Sequence, residues 1–316
     1  MTTLRVFDWR LAAPSDLDDA FAAEILRWQD TLHWDAGESW QLVDEACRQG
    51  TLPGFVAVDG GGRIAGWTFF LRHGQSLQIG ALNASTAEAG ELLLDAVLMS
   101  ELAESTTDAL FFGFSTAPGL PQLLASRGFD VERYLYLERS TAGLARGPVA
   151  ASWRDSRRDA VAALLSASYD ARRARTFASD GSLDGWRDYL SQLITGIGCG
   201  RFLPEGCQLL EDEDGGLDAA VLTSRLSGRT LHLPQVVVAP HARGRGLAGE
   251  LVTAALNTAA DAGFTRATLL VGEQNASARR LYEKLGFREV TTFVSATIDG
   301  DRLGARALAL GASSRE

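Results

Sequence analysis

Cysteine is scarce in this chain, and its scarcity excludes two architectures. Three cysteines, Cys47, Cys199 and Cys207, at irregular spacing cannot build a disulfide framework. The four histidines do not cluster with them, so no metal site is expected. Reduced thiols and a cytoplasmic location are the expectation. Lysine is scarcer still, Lys284 being the only one. Basic residues are in deficit overall, 30 Lys and Arg against 40 Asp and Glu, for a formal charge of −10. Such a balance argues against nucleic acid or an anionic membrane surface as partner, because both are held by basic faces. No apolar run reaches the roughly 18 residues of a membrane-spanning helix. The N-terminal MTTLRVFDWR lacks a charged segment followed by an apolar one, so no signal peptide is expected.

The chain does have 316 residues, 46% of them hydrophobic, enough for two domains with cores of their own. Periodicity predicts strand 4–7, a helix to about Leu32 capped by Ser15-Asp16, and a helix 38–48. Three strands follow, 51–59, 63–72 and 75–82, the first two joined by Gly60-Gly61-Gly62. Helix 87–103, strand 109–114, helix 121–127 and strand 129–138 complete the run. A similar order returns: strand 149–152, helices 154–168 and 183–195, strands 208–211, 218–225 and 230–238, helix 247–262, strand 267–271, helix 276–285 and strands from Arg288. Trp9-Arg10 is echoed by Trp153-Arg154, and Gly128-Phe129 by Gly286-Phe287. A repeat is expected, with domains 1–140 and 147–316 and a small, polar linker, Ser140 to Gly147.

The most informative stretch is Arg229 to Ala248, RTLHLPQVVVAPHARGRGLA. An apolar strand runs through Ala239-Pro240 into Arg-Gly-Arg-Gly and then a helix. Such a junction offers unpaired N–H groups at the positive end of a helix dipole, which suits a polyphosphate. The spacing meets neither the dinucleotide fingerprint nor the P-loop. It resembles the acyl-CoA motif of the GNAT N-acetyltransferases, [QR]-x-x-G-x-[GA], standing here as Arg243-Gly244-Arg245-Gly246-Leu247-Ala248. A second family pattern, N-x6-Y, stands at Asn275 and Tyr282 and is followed by Leu285-Gly286-Phe287.

The resemblance implies an α/β fold (α+β mixed sheet) in two tandem copies of the GNAT acyl-CoA acyltransferase fold. It implies acetyl-CoA as cosubstrate, with its pyrophosphate on the N–H groups of Gly244 to Gly249 and its pantetheine arm along Val236, Val237 and Val238. Val238 would offer the N–H that polarises the thioester, and Tyr282 would protonate the departing thiolate. Asn275 would hydrogen-bond the cofactor, or else cap a helix. Pro234, inside the strand, favours a bulge that opens the cofactor slot, or breaks the strand. His232 is the candidate base, with Glu273 behind it. The carboxylate some members carry on the next strand is absent, Leu270 standing there.

The segment from Tyr169 to Gly185, with Arg172, Arg173 and Arg175, would shape the acceptor site, or be a solvated loop. The first copy has Leu82 to Glu88 in place of the cradle and Ala117 and Leu124 in place of Asn275 and Tyr282, so it would be structural or line the cleft. The expectation is an N-acetyltransferase moving acetyl directly to a primary amine of a small molecule, as a monomeric pseudodimer or a homodimer. A mycothiol-synthase-like or antibiotic-modifying enzyme, and a noncatalytic acyl-CoA-binding module, stay open.

Overall fold

The structure, a computed structural model, describes residues 3–12, 14–143, 150–178, 181–196, 198–212, 215–300 and 302–303. Residues 144–147 of the expected linker lie outside them. Two compact units emerge, and they are not the contiguous halves expected. One comprises Met1–Leu26, Trp40–Tyr134 and Thr292–Glu316; the other, Arg27–Ser39 and Leu135–Thr291.

In chain order the elements are β1 (Arg5–Asp8), α1 (Pro14–Leu32), α2 (Gly37–Arg48), β2 (Gly54–Val58), β3 (Ile64–His73), β4 (Ser76–Ala84), α3 (Ala87–Leu98), α4 (Glu101–Glu104), β5 (Asp108–Gly113), α5 (Leu120–Ser126) and β6 (Asp130–Ser140). Then come α6 (Arg158–Ser168), α7 (Ala171–Ala174), α8 (Leu183–Thr195), β7 (Arg201–Phe202), β8 (Gln208–Glu211), β9 (Leu217–Arg225), β10 (Thr230–Val238), α9 (Leu247–Asp261), β11 (Arg266–Gly272), α10 (Ala276–Lys284) and β12 (Arg288–Asp299). The expected single helix 87–103 is two, because Ser100 caps α4 by accepting from the Ala103 N–H. In place of a strand at 149–152, Ala151 makes an isolated bridge to Leu209. The first helix starts at Pro14, ahead of the expected Ser15-Asp16 cap.

In the first unit β1, β2, β3 and β4 form an antiparallel run, β4 pairs β5 in parallel, and Val294–Asp299 of β12 closes the far side against Gly113–Asp108. Parallel pairing of β4 with β5 holds from Ser76↔Asp108 to Ile79↔Phe111 and then stops. The β4 register slips near Gly80, where an added Cβ would lie 2.0 Å from the Phe69 ring; only glycine fits there. Leu93, Leu94, Val97 and Leu98 of α3, all fully buried, pack against Leu77, Leu82 and Phe111.

In the second unit β9 is central, buried from Leu217 through Ser224, as a strand covered on both faces must be. It pairs β8 and β7 on one side and β10 on the other. Helix α9 buries Leu247, Leu251, Val252, Ala255, Leu256 and Ala259, a stripe at helical spacing. Thr141, just past β6, ties onto the start of β11 through its N–H to the Thr265 carbonyl at 3.2 Å and its hydroxyl to the Phe264 carbonyl at 2.6 Å.

Candidate active site

The site starts from a strand that parts from its neighbour. Strand β10 pairs β11 in parallel from Thr230↔Arg266 to Leu233↔Leu269, and beyond Leu233 the two have no mutual register. On its other edge β10 stays with β9 to Val238↔Ala219, with a register shift between His232 and Gln235. Pro234 lies inside that shift. It removes a donor where the ladder opens, and the strand bulges there without breaking.

Strand geometry then decides which main-chain groups face the opening. The Ala239 N–H donates to the Asp218 carbonyl at 2.8 Å. Antiparallel alternation therefore turns the Val237 groups toward β9 and those of Val236 and Val238 toward the slot. The Val238 carbonyl is approached from that side by Ser168 Oγ at 3.3 Å and Arg243 Nε at 3.4 Å.

Past Val238 the chain makes the cradle. Gly244 and Gly246 have φ of 80° and 84°, a left-handed conformation that favours glycine, and nothing lies within 4 Å of a Cβ built on either. Gly246 is the N-cap of α9 and offers no side chain to cap it; the Gly249 N–H turns back to the Gly246 carbonyl at 3.0 Å, which leaves the Leu247 and Ala248 amides to face an anion. Arg243 and Arg245 are held differently. Arg243 donates to the carbonyls of Val238 and Ser168, the latter at 2.8 Å. Arg245 donates to Asp218 Oδ2 at 3.3 Å, and the same carboxylate meets His241 Nε2 through Oδ1 at 2.8 Å. Asp218 and His241 carried no signal in the sequence as site residues.

Helix α10 sits beside the cradle helix. A Cβ at Gly249 would be 3.3 Å from Leu281 Cδ1, so the residue before Tyr282 packs on the first turn of α9. Asn275 is the N-cap of α10, its Oδ1 accepting from the Ala278 N–H at 3.2 Å; its amide NH₂ is not used by the cap. Tyr282 is the one buried residue of this helix. Its ring meets Phe287 edge-on at 5.7 Å, and its hydroxyl has no hydrogen-bond partner among the described residues. Burial pushes its pKa up, so the phenol stays protonated across the working pH range.

His232 occupies the closed part of the β10–β11 pair. It is buried, its Nδ1 lies 2.9 Å from Thr268 Oγ1, and its ring stacks on Tyr136. Desolvation pulls its pKa down to about 4, which keeps the imidazole neutral and makes it a weak proton acceptor. On the helix side of β10 an uncharged cluster appears: Tyr169 donates to Gln235 Oε1 at 2.7 Å and Gln235 Nε2 to the Tyr189 hydroxyl at 2.8 Å. Trp186 and Phe177 pack around it. Gln235 and Tyr189 were not singled out from the sequence. Arg173 belongs to α7, where the Asp170 carboxylate caps its N–H at 2.9 Å; Arg172 and Arg175 are exposed. Among the described residues no group of His, Cys, Asp and Glu is arranged to hold a metal ion, and no helix is long and apolar enough to cross a membrane.

Residues 164–287, which contain the cradle, Asn275 and Tyr282, match the acetyltransferase (GNAT) family. The uncharacterized N-acetyltransferase YhfO of Bacillus subtilis strain 168 is 42% identical over 62 residues, 20% of this chain and 42% of that protein. The aligned part thus spans under half of that relative. A GCN5-related N-acetyltransferase from Sphaerobacter thermophilus superposes with a TM-score of 0.62 at 15% identity, over 93% of this chain and 95% of the other. A tandem GNAT protein from the clavulanic acid biosynthesis pathway gives 0.56 at 18% identity, over 94% and 99%. The fold is that of the GNAT acetyltransferases.

Proposed function

We propose that this GNAT-fold acetyltransferase moves acetyl from acetyl-CoA to a primary amine of a small molecule by direct attack, with the second unit as the catalytic one. The observation that carries the reading is the uncapped, glycine-lined start of α9 at the mouth of the slot between β10 and β11. Amides from Gly244 to Ala248, with Arg243 beside them, would take the pyrophosphate; the Gly249 amide is held by the Gly246 carbonyl. The slot-facing groups of Val236 and Val238 would pair with the pantetheine arm and polarise the thioester carbonyl. The amine nitrogen bonds to the acyl carbon, the carbon–sulfur bond breaks, Tyr282 gives its proton to the thiolate, and the proton shed by the nitrogen returns through solvent to the phenolate.

Direct attack is favoured over a covalent intermediate by the cysteines. All three are free, and burial pushes each thiol up to about 11; near neutral pH they are poor nucleophiles. A base at about 4 has little drive to take a proton from an ammonium, so His232 serves only an amine that arrives largely neutral.

The first unit, in this reading, is a degenerate copy of the same fold. Its strands β4 and β5 also part after Ile79↔Phe111, but its own side chains fill the place. Ser115 Oγ hydrogen-bonds the Leu82 carbonyl, the Thr116 N–H donates to Asn83 Oδ1 at 3.1 Å, and Thr86 caps α3 through the Ala89 N–H. Two amides of this corner, those of Thr116 and Ala89, are thereby used by its own side chains.

Thiol release from acetyl-CoA in the presence of a panel of small amines tests the proposal. Release that depends on one class of amine is the expected result. Tight CoA binding with no release for any amine would favour an acyl-CoA-binding module, a reading the unpartnered Tyr282 hydroxyl speaks against.

A further inference from the structure

The cradle is held from a distance by a residue of another strand. Asp218, at the start of β9, is buried, its side chain 11% exposed. Its main-chain carbonyl accepts from the Ala239 N–H, where the chain leaves β10. Its two carboxylate oxygens reach further along the same turn: Oδ1 to His241 Nε2 at 2.8 Å and Oδ2 to Arg245 Nη1 at 3.3 Å. One residue therefore touches the turn at Ala239, His241 and Arg245. Gly244 and Gly246 between and beyond these points contribute no side-chain packing; besides Asp218, the turn is tied by the Arg243 bonds to the Ser168 and Val238 carbonyls and by the buried Ala242, both ahead of Gly244.

We propose that Asp218 is the positioning residue of the coenzyme A cradle, holding the 239–246 turn through His241 and Arg245 so that its amides converge on the pyrophosphate. The inference rests on the reading of the site as a coenzyme A site. It also assigns the two arginines different work. The charge of Arg245 is balanced by Asp218, whereas Arg243, which meets only carbonyls, keeps an uncompensated charge for the phosphates.

A buried carboxylate beside an anion site has two opposed effects. It repels the incoming phosphate directly, and it fixes the donors that bind it. The preorganised amides and the helix dipole supply most of the binding, so the second effect is expected to win.

Coenzyme A binding by calorimetry and acetyl-CoA kinetics on the full chain decide the matter. Asp218→Asn should weaken coenzyme A binding and raise KM for acetyl-CoA by roughly tenfold, the order of loss when a supporting contact no longer holds donors in place. It should leave kcat at saturating acetyl-CoA close to wild type. In a His241→Ala, Arg245→Ala background the same substitution should cost nothing further, because its partners are gone. Asp218→Glu should recover part of the affinity.

Unchanged or tighter binding by Asp218→Asn overturns the proposal, as does an equal loss in the double-substituted background. Should Asp218→Asn not fold, His241→Ala, at a 67% exposed side chain, must weaken coenzyme A on its own or the proposal fails. A wild-type chain that binds no coenzyme A would instead overturn the reading of the site.

Discussion

Two buried titratable side chains of the second unit respond to burial in opposite directions. For Tyr282 burial favours the neutral phenol, which is the form that can protonate a thiolate. Tyr282→Phe keeps the ring against Phe287 and deletes only the hydroxyl, which holds no other partner among the described residues. Turnover should fall by roughly a hundredfold while the dissociation constant for coenzyme A stays put, a split that steady-state kinetics and calorimetry read together; wild-type turnover would remove Tyr282 as the acid.

For His232 burial also favours the neutral form, but here that lowers the pKa, from 6.5 to about 4. Protons then bind the unfolded chain more tightly than the folded one. The contribution to stability is full above pH 6.5 and is lost as pH falls through about 4, on the order of 3 kcal/mol in all. Replacing His232 with Gln should flatten that part of the stability–pH curve in denaturant titrations at pH 7 and pH 4.5. If His232 is also the base, the acidic limb of kcat/KM lies near pH 4 and disappears in His232→Ala; a limb that persists there assigns it to another group.

Among the elements, the starts of α9 and α3 differ in how they are capped. Thr86 places its hydroxyl over the first turn of α3, on the Ala89 amide, whereas at α9 the equivalent Gly249 amide turns to the Gly246 carbonyl and no capping side chain stands in front of Leu247 and Ala248. Gly246→Glu should therefore abolish coenzyme A binding, through a carboxylate in an anion site and a side chain at φ 84°. Gly74→Glu is the matched control, since Gly74 has φ 60° and open space around it: similar backbone strain, about 1–3 kcal/mol, but no effect on affinity. Loss of binding in both would make the effect one of stability.

These elements were the most legible part of the sequence. The ranges 183–195, 208–211 and 230–238 coincide with α8, β8 and β10: α8 repeats Trp186, Leu190 and Leu193 at helical spacing behind the Ser182 cap, and the two strands are short β-type stretches bounded by turn residues. The Pro234 bulge was readable because proline cannot donate to a ladder. Asp218 was not, since it meets Arg245 across 27 residues and no local pattern marks an aspartate at a strand start as an anchor. Gln235 escaped for the same reason: its partners, Tyr169 and Tyr189, lie 66 and 46 residues away.

At the scale of the molecule, the strands do not stay with the half of the sequence that encodes them. Leu135–Ser140 of β6 belongs to the second unit, and Thr292–Asp299 of β12 to the first. Hydrophobic alternation shows that both are strands, but the choice of sheet is topological and leaves no periodic mark. The consequence bears on any attempt to isolate the half proposed to be catalytic. A fragment 147–316 would carry β12 without Asp108–Gly113 to pair it, and would lack both β6 and the Thr141 contacts to Phe264 and Thr265. Each loss exposes a row of unpaired backbone groups and the apolar residues beside it. The fragment is expected to aggregate or to melt without cooperativity, whereas a chain retaining residues 1–143 melts as a folded protein. Circular dichroism melts and coenzyme A calorimetry on both make the comparison. A fragment 147–316 that unfolds cooperatively and binds coenzyme A with full affinity would show that the exchanged strands are dispensable to the catalytic unit.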